Sequence, residues 1–234
     1  FRTSSSFTSG TVGIVIQTRP LLELREEDAT WAGSKAARLG QLGRAGFSVP
    51  AGLAIGAEAY RRFVESTGIL KAIQLLLHRK KFEDMRWEEL WDVSLRIRNH
   101  FLSRAWPKVI KEKLLKDLSE GPGNWSAVAV RSTAPGEDSA SQSFAGLHES
   151  RVMLQGTEAI LEAIRIVWAS LWSDGALLYR HELGLDPGKS GMAVIIQEMV
   201  VGDVSGILFT RAPQDGSVMM AEAEIGRASC RERV

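Results

Sequence analysis

Residues 125–146, WSAVAVRSTAPGEDSASQSFAG, change abruptly from apolar to polar composition. The apolar run at 127–130 contains two valines, which predicts a buried strand that delivers Arg131 at its end. The residues that follow are rich in serine, with small side chains that let backbone N–H groups approach an anion. A guanidinium at the base of such a loop can bind phosphate oxygens bidentately. Composition alone fits a phosphate-binding loop and a solvated surface loop about equally well.

Three segments of the chain carry motifs that occur in a fixed order. They are GSKAARLG at 33–40 with VPAG at 49–52, VRSTAPGEDSASQSFAG at 130–146, and QEMV at 197–200 with GILFT at 206–210. They resemble the GGKAANLG…VPxGF, VRSSA…ED…SFAG and QxMV…GVxFT motifs of the nucleotide-binding domain shared by phosphoenolpyruvate synthase, pyruvate phosphate dikinase and rifampicin phosphotransferase. Ser34 departs from the usual glycine. Because all three segments match in order, the resemblance favours a phosphate-binding loop.

The resemblance implies an α+β fold of the ATP-grasp type, in which two lobes clamp ATP. Carried over by position, Lys35 and Arg131 would be the catalytic phosphate ligands, one from each lobe. The other implied nucleotide-binding residues are Ser132, Thr133, Ser143 and Gly146 in a lid over the phosphates, Gln197, Glu198, Met199 and Val200 beside the adenine, and Thr210 in the FT motif. Glu222 aligns with an acid near the metal site. The implied cofactors are therefore ATP and Mg²⁺.

Lys35 also stands out without the resemblance. Ala36, Leu39 and Leu42 recur at helical spacing, which predicts a helix that begins near Lys35 and stops at Gly43. Free N–H groups and the helix dipole favour a phosphate at that end, whereas a structural lysine there is slightly disfavoured. The GxxxxGK[ST] phosphate loop is absent. On these residues alone, an exposed lysine is the simpler interpretation.

The remaining pattern predicts alternating helical and extended segments. Helices are expected at 57–66 and across 70–118 with a break at Pro107, the latter as a helical insert on the first lobe. Trp87, Trp91 and Trp106 in this insert are predicted to be core residues. After the central loop we expect a strand at 148–154, a periodic helix from 157, a second helix ending at Gly184, a hairpin of strands 192–198 and 204–210, and a strand at 218–221.

The predicted organisation has four parts. Residues 1–18 are a poorly ordered lead-in and first strand, 19–122 the first lobe with its helical insert, and 123–224 an incomplete second lobe that carries the phosphate loop and adenine segment. Residues 225–234, IGRASCRERV, resemble the conceptual translation of a sequencing adapter and are predicted not to be native. On this basis the fold is expected to be truncated at its C-terminal end, and the chain by itself to be inactive.

Composition excludes several classes of protein. No window approaches the roughly 18 consecutive apolar residues of a membrane helix, and the N-terminus lacks a signal segment, so a cytoplasmic setting without membrane contact is expected. The single Cys230 permits no intramolecular disulfide. Once residues 224–234 are set aside, the formal net charge falls from +1 to zero. Nucleic acid is therefore not an expected partner.

The resemblance implies an ATP-dependent phosphotransferase. In that family, ATP phosphorylates a histidine on a separate domain, which passes the phosphoryl group to pyruvate or to another acceptor. The four histidines, His78, His100, His148 and His181, do not stand in the family's acceptor motif. Two alternatives stay open: a relative with another acceptor, such as a rifampicin phosphotransferase or glucan dikinase, and a nucleotide-binding module without catalysis. The sequence also leaves a homodimer open.

Overall fold

The computed structural model describes residues 16–121, 125–133, 138–139, 142–143, 147–186, 190–211 and 218–225. The strands in these ranges are β1 (Thr18–Pro20), β2 (Gly52–Ile55), β3 (Val128–Thr133), β4 (Asp138–Ser139), β5 (Gln142–Ser143), β6 (Ser150–Leu154), β7 (Ala193–Glu198), β8 (Val204–Phe209) and β9 (Met220–Ile225). The helices are α1 (Ala29–Ala32), α2 (Ser34–Arg44), α3 (Ala57–Ser66), α4 (Ile69–Leu77), α5 (Trp87–Ser103), α6 (Lys108–Ser119), α7 (Thr157–Ser170) and α8 (Asp174–Glu182).

A five-stranded antiparallel sheet forms the centre of the described structure, with strand order β1-β2-β7-β3-β6. Because successive side chains of a strand point to opposite faces, β3 divides its residues between the two sides of this sheet. Arg131 lies opposite Ile195 of β7 and Val130 lies opposite Ile196. Arg131 and Thr133 therefore belong to one face, and Val128 and Val130 to the other.

Helices cover both faces of the sheet. The larger core includes Val130 and Ile196 of the sheet together with apolar side chains of α3 to α7. The smaller core packs Leu21, Leu24, Ala32 and Ala36 against Ala54 and Ile195. The smaller core thus places α1 and α2 on the face to which Arg131 and Thr133 belong. This mixed arrangement of helices and an antiparallel sheet confirms the predicted α+β class.

Several predicted elements are confirmed where local signals were strong. Helices α2, α3 and α7 lie where the apolar periodicity indicated, and α7 buries Ile160, Leu161, Ile164, Val167 and Trp168. The predicted helical stretch at 70–118 is interrupted before α6 at Pro107, as expected, and also between α4 and α5 at residues 78–86, which was not expected. No helix within the described ranges combines the length and hydropathy that crossing a bilayer requires.

The predicted hairpin of strands 192–198 and 204–210 is wrong. Strand β7 instead lies between β2 and β3, and β8 pairs with β9 in a separate two-stranded sheet. Residues 193–197 are all buried, so β7 needs neighbours on both of its edges and cover on both of its faces. Val204 and Leu208 of β8 are largely exposed, so β8 does not belong to this buried sheet.

The prediction that all three tryptophans of the helical insert are core residues is only partly right. Trp106 packs against the larger core, but Trp87 is 63% exposed and Trp91 is 45% exposed. The buried stripe of α5 is formed by Leu90, Val93, Ser94, Ile97 and Phe101. Trp91 lies beside this stripe, and Trp87 is the first residue of the helix, so neither ring reaches the core.

Candidate functional site

The start of α2 abuts the end of β3. Gly33 separates α1 from α2 with φ 84° and ψ 158°, a conformation that is essentially restricted to glycine. A Cβ atom at this position would lie 2.2 Å from Oγ1 of Thr133 and 2.7 Å from both its carbonyl carbon and oxygen. This close approach brings the N-terminal turn of α2, and with it Lys35, beside the last residues of β3.

The hydroxyl of Thr133 is already engaged at this junction. It donates to the carbonyl of Ala32 at 3.1 Å and accepts the backbone N–H of Ala36 at 3.4 Å. The residue is completely buried. The sequence predicts that Thr133 contacts phosphate. Because the hydroxyl proton is already donated to Ala32, a phosphate contact would have to come from the Thr133 backbone.

Lys35 and Arg131 are brought to the same side of the sheet. Lys35 is the second residue of α2 and is half-buried. Arg131, also half-buried, precedes Thr133 by two residues on the same face of β3, a separation of about 7 Å along a strand. The positive end of a helix dipole, a lysine and an arginine all favour anionic ligands. The junction between the start of α2 and the end of β3 therefore has the chemistry of a phosphate site.

The predicted lid residues do not all share this site. Ser132 is buried and alternates to the face that carries Val130, away from Arg131. Ser143 belongs to the short β4–β5 ribbon, where it pairs with Asp138. Gly146 lies outside the described residues. The lid over the phosphates stays a prediction for these positions.

The predicted adenine segment is held by two neighbouring segments. The Gln197 side-chain amide donates to the Pro50 carbonyl at 3.2 Å, and the Glu198 N–H donates to the Ala51 carbonyl at 2.8 Å. The Met199 N–H donates to the carbonyl of Ala127 at 3.0 Å. These three donors are therefore not available to a base.

The other predicted ligands lie farther along the chain. Val200 follows β7 and is 64% exposed. Thr210 is exposed at the end of β8, and Glu222 lies in β9 opposite Ile207. Within the described ranges, no three His, Cys, Asp or Glu side chains come together as a metal site. The side chain of Glu222 is outside the described part, so the predicted Mg²⁺ site rests on the resemblance alone.

A buried carboxylate just before α1 was not predicted from the sequence. Asp28 is 7% exposed, just before α1, and its oxygens accept hydrogen bonds from Arg19 Nη1, Trp31 Nε1 and the Arg25 N–H at 2.8 to 2.9 Å. Burial acts to raise the pKa of this carboxyl. The three donors and the charge of Arg19 outweigh burial, so the pKa of Asp28 lies below its ordinary value. The network ties β1 to the helix pair that carries Lys35.

We expect Asp28→Asn to lower the free energy of unfolding at neutral pH by about 1 to 2 kcal/mol, because charge-assisted bonds are lost. A carboxyl with a depressed folded-state pKa stabilises the fold above its unfolded-state pKa, and that contribution disappears as the pH falls through the folded-state pKa. Urea unfolding at neutral and progressively acidic pH should therefore show wild type and variant converging in acid. A difference that is constant with pH would contradict this role.

A family model described as the AMP/ATP-binding domain of pyruvate phosphate dikinase matches residues 29–228. The chain belongs to this family. The match begins at the first residue of α1 and contains Lys35, Arg131 and the segment at 197–200, so the resemblance that was based on these motifs is confirmed. It also includes residues 225–228 of the segment predicted to be foreign. Residues 226–234 lie outside the described part, and that interpretation stays a prediction.

Individual relatives of this AMP/ATP-binding domain carry two kinds of name. The chain is 37% identical over 198 residues to phosphoenolpyruvate synthase of Aeropyrum pernix, covering 83% of this chain and 24% of the relative. It is 36% identical over 207 residues to rifampicin phosphotransferase of Streptomyces sviceus, covering 88% and 24%. A probable phosphoenolpyruvate synthase of Methanothermobacter thermautotrophicus is 34% identical over 198 residues, covering 83% and 29%. The chain thus spans about a quarter of the length of these relatives.

Proposed function

We propose that this AMP/ATP-binding domain is the nucleotide site of a phosphotransferase of the phosphoenolpyruvate synthase type. In the proposed reaction, a phosphoanhydride bond of ATP breaks while a phosphorus–nitrogen bond forms to a histidine of another domain, and the rest of the nucleotide leaves with the bridging oxygen. The histidine gives up its proton and later passes the phosphoryl group to pyruvate. The observation that carries the proposal is the meeting of the α2 start with the end of β3, the two segments that carry Lys35 and Arg131.

The charges of Lys35 and Arg131 suit phosphoryl transfer. Phosphoryl transfer depends mainly on positioning and on neutralising the negative charge of the phosphates, with little covalent work for side chains. Lys35 supplies a compact cation, and Arg131 supplies a planar donor that matches two phosphate oxygens. Mg²⁺, when bound with the nucleotide, would neutralise further charge, with Glu222 as the proposed protein ligand. The fold is proposed to be of the ATP-grasp type. The two ranges proposed as its lobes, 19–122 and 123–224, both contribute strands to the five-stranded sheet.

The adenine is proposed to lie against residues 197–200. The N–H groups of Glu198 and Met199 are already bonded within the protein, so neither serves the base. The Met199 side chain would lie against the face of the ring, since a thioether packs well on an aromatic surface. This arrangement would place the base at one end of β7 and the phosphates near the end of β3.

The experiment that tests the proposal is titration calorimetry of ATP binding to the wild-type chain and to Arg131→Ala. Loss of a charge-assisted bidentate contact costs on the order of 1.5 to 3 kcal/mol, so affinity should fall roughly ten- to a hundred-fold. Arg151→Ala is the matched control, because Arg151 is an exposed arginine on the neighbouring strand β6. Equal affinities of wild type and Arg131→Ala would remove Arg131 from the site.

A phosphotransferase with another acceptor is the second candidate function. It is favoured by the rifampicin phosphotransferase of Streptomyces sviceus, whose 36% identity is close to the 37% of the phosphoenolpyruvate synthase. The full-length protein, incubated with ATP and either pyruvate or rifampicin, would separate the two. Phosphoenolpyruvate formed from pyruvate supports the first candidate, and phosphorylated rifampicin supports the second.

A further inference from the structure

Helix α2 is capped by a residue from a distant strand. The first N–H groups of a helix lack intrahelical partners and are often capped by the side chain of the N-cap residue. The N-cap of α2 is Gly33, which has no side chain. The Thr133 hydroxyl, 97 residues away from Ala36, accepts the Ala36 N–H and also donates to Ala32 at the end of α1. One hydroxyl therefore joins both helices to β3.

The contact between Gly33 and Thr133 leaves little room for either backbone to move. Thr133 has no solvent exposure, so water cannot replace its hydroxyl. Gly33 touches the Thr133 main chain as well as its side chain, since a Cβ there would lie within 2.7 Å of the carbonyl group. The contact thus sets the distance between the two backbones as well as the direction of one side chain.

The middle of α2 is held from another side. A Cβ on Gly40 would lie 2.3 Å from the carbonyl oxygen of Leu24 and 2.7 Å from that of Leu21. Arg44 also donates to the carbonyl of Leu24. These contacts hold the middle and the end of α2, and the Thr133 hydroxyl holds its N-terminal turn.

We infer that Thr133 is a positioning residue for the phosphate site, fixing the N-terminal turn of α2 so that Lys35 meets the same phosphates as Arg131. The inference rests on the proposed function. Cα–Cβ bonds of a helix tilt toward its N-terminus, so Lys35 extends toward the junction that Thr133 holds. Thr133 acts here through Lys35 and does not itself bind the nucleotide through its hydroxyl.

The first test compares ATP with adenosine, which lacks phosphates, by titration calorimetry. Thr133→Val keeps the shape of the side chain and removes the hydroxyl. We expect the ATP dissociation constant to rise about ten-fold, because a charge-assisted contact is displaced. The adenosine dissociation constant should change by less than about two-fold, the range expected of independent sites. A merely structural defect would weaken both ligands alike, and that result would overturn the inference.

A conservative variant and a double variant make the test more specific. Thr133→Ser restores a hydroxyl and should recover most of the ATP affinity. In a Lys35→Ala background, Thr133→Val should have little further effect, because the residue through which it acts is gone. A full ten-fold loss in that background would overturn the inference. If Thr133→Val does not fold, Thr133→Ala removes the same hydroxyl without placing a new methyl group at Gly33 and is tested in the same way.

Ser94→Ala is the matched control. Ser94 is also completely buried, and its hydroxyl donates to the carbonyl of Trp172 at 2.8 Å in the larger core. Its replacement should leave the ratio of the ATP and adenosine affinities unchanged. Wild-type protein that binds neither ligand would refute the proposed function and this inference with it. Wild-type binding of ATP together with unchanged binding by Thr133→Val would refute the inference alone.

Discussion

Replacement of Gly33 with alanine is expected to lower the free energy of unfolding by about 4 kcal/mol. Two costs add at this residue. Its φ of 84° and ψ of 158° lie in a region that other residues enter at a cost of about 1 to 3 kcal/mol. The new Cβ would also overlap the Thr133 carbonyl group at 2.7 Å, so main chain would have to move. Overpacking of this kind costs roughly 1 to 3 kcal/mol more.

Gly156 offers a control with the same backbone conformation. It is the N-cap of α7 with φ 79° and ψ 152°, and no described atom lies within 4 Å of where its Cβ would stand. Gly156→Ala should therefore carry the conformational cost alone, about 1 to 3 kcal/mol. Urea unfolding of both variants isolates the contact between Gly33 and Thr133 as the difference between them. Equal losses would show that this contact contributes nothing to stability.

Local signals in the sequence were sufficient for most helices. The apolar spacing of α7 and the break at Pro107 are properties of short windows, and the structure confirms both. The same reasoning failed for β7 because strand partners are set by long-range burial. Residues 192–196 form a continuous apolar run, which indicates a central strand, yet the nearby run at 204–209 suggested a simple hairpin.

The candidate site could be predicted in part. The motifs identified Lys35 and Arg131, and the structure brings their two segments together. Strand alternation, extended through Thr133, would have separated Ser132 from Arg131, but the predicted strand ended too early for this argument. The role of the Thr133 hydroxyl could not be foreseen, since its partners are about a hundred residues away in the chain. For Asp28, Trp31 at i+3 was the available signal, whereas Arg19 comes from a separate strand.

The second large effect is expected in the core on the opposite face of the sheet. Trp168 of α7 has no solvent exposure, and its ring lies 5.8 Å from Tyr60, 5.4 Å from Phe63 and 5.5 Å from Trp106, measured between centroids. It therefore joins α3 and the segment before α6 to the helix that lines the sheet. Truncation of a buried tryptophan to alanine costs about 3 to 5 kcal/mol, a large part of the stability of an ordinary domain.

We therefore expect Trp168→Ala to lower the free energy of unfolding by about 4 kcal/mol in urea titrations followed by circular dichroism. Trp87→Ala is the control, because loss of a ring that is 63% exposed should change the free energy of unfolding by no more than about 0.5 kcal/mol. Similar losses in the two variants would contradict the assignment of Trp168 to the core.

Trp168→Phe should cost less than truncation, about 1 to 2 kcal/mol, for a reason beyond its size. The indole Nε1 of Trp168 is buried and has no hydrogen-bond partner among the residues that the structure describes. Phenylalanine removes this unpaired N–H, which offsets part of the lost packing. Because this core lies across the sheet from Lys35 and Arg131, the folded fraction of either Trp168 variant should bind ATP with wild-type affinity, whereas Thr133→Val should not.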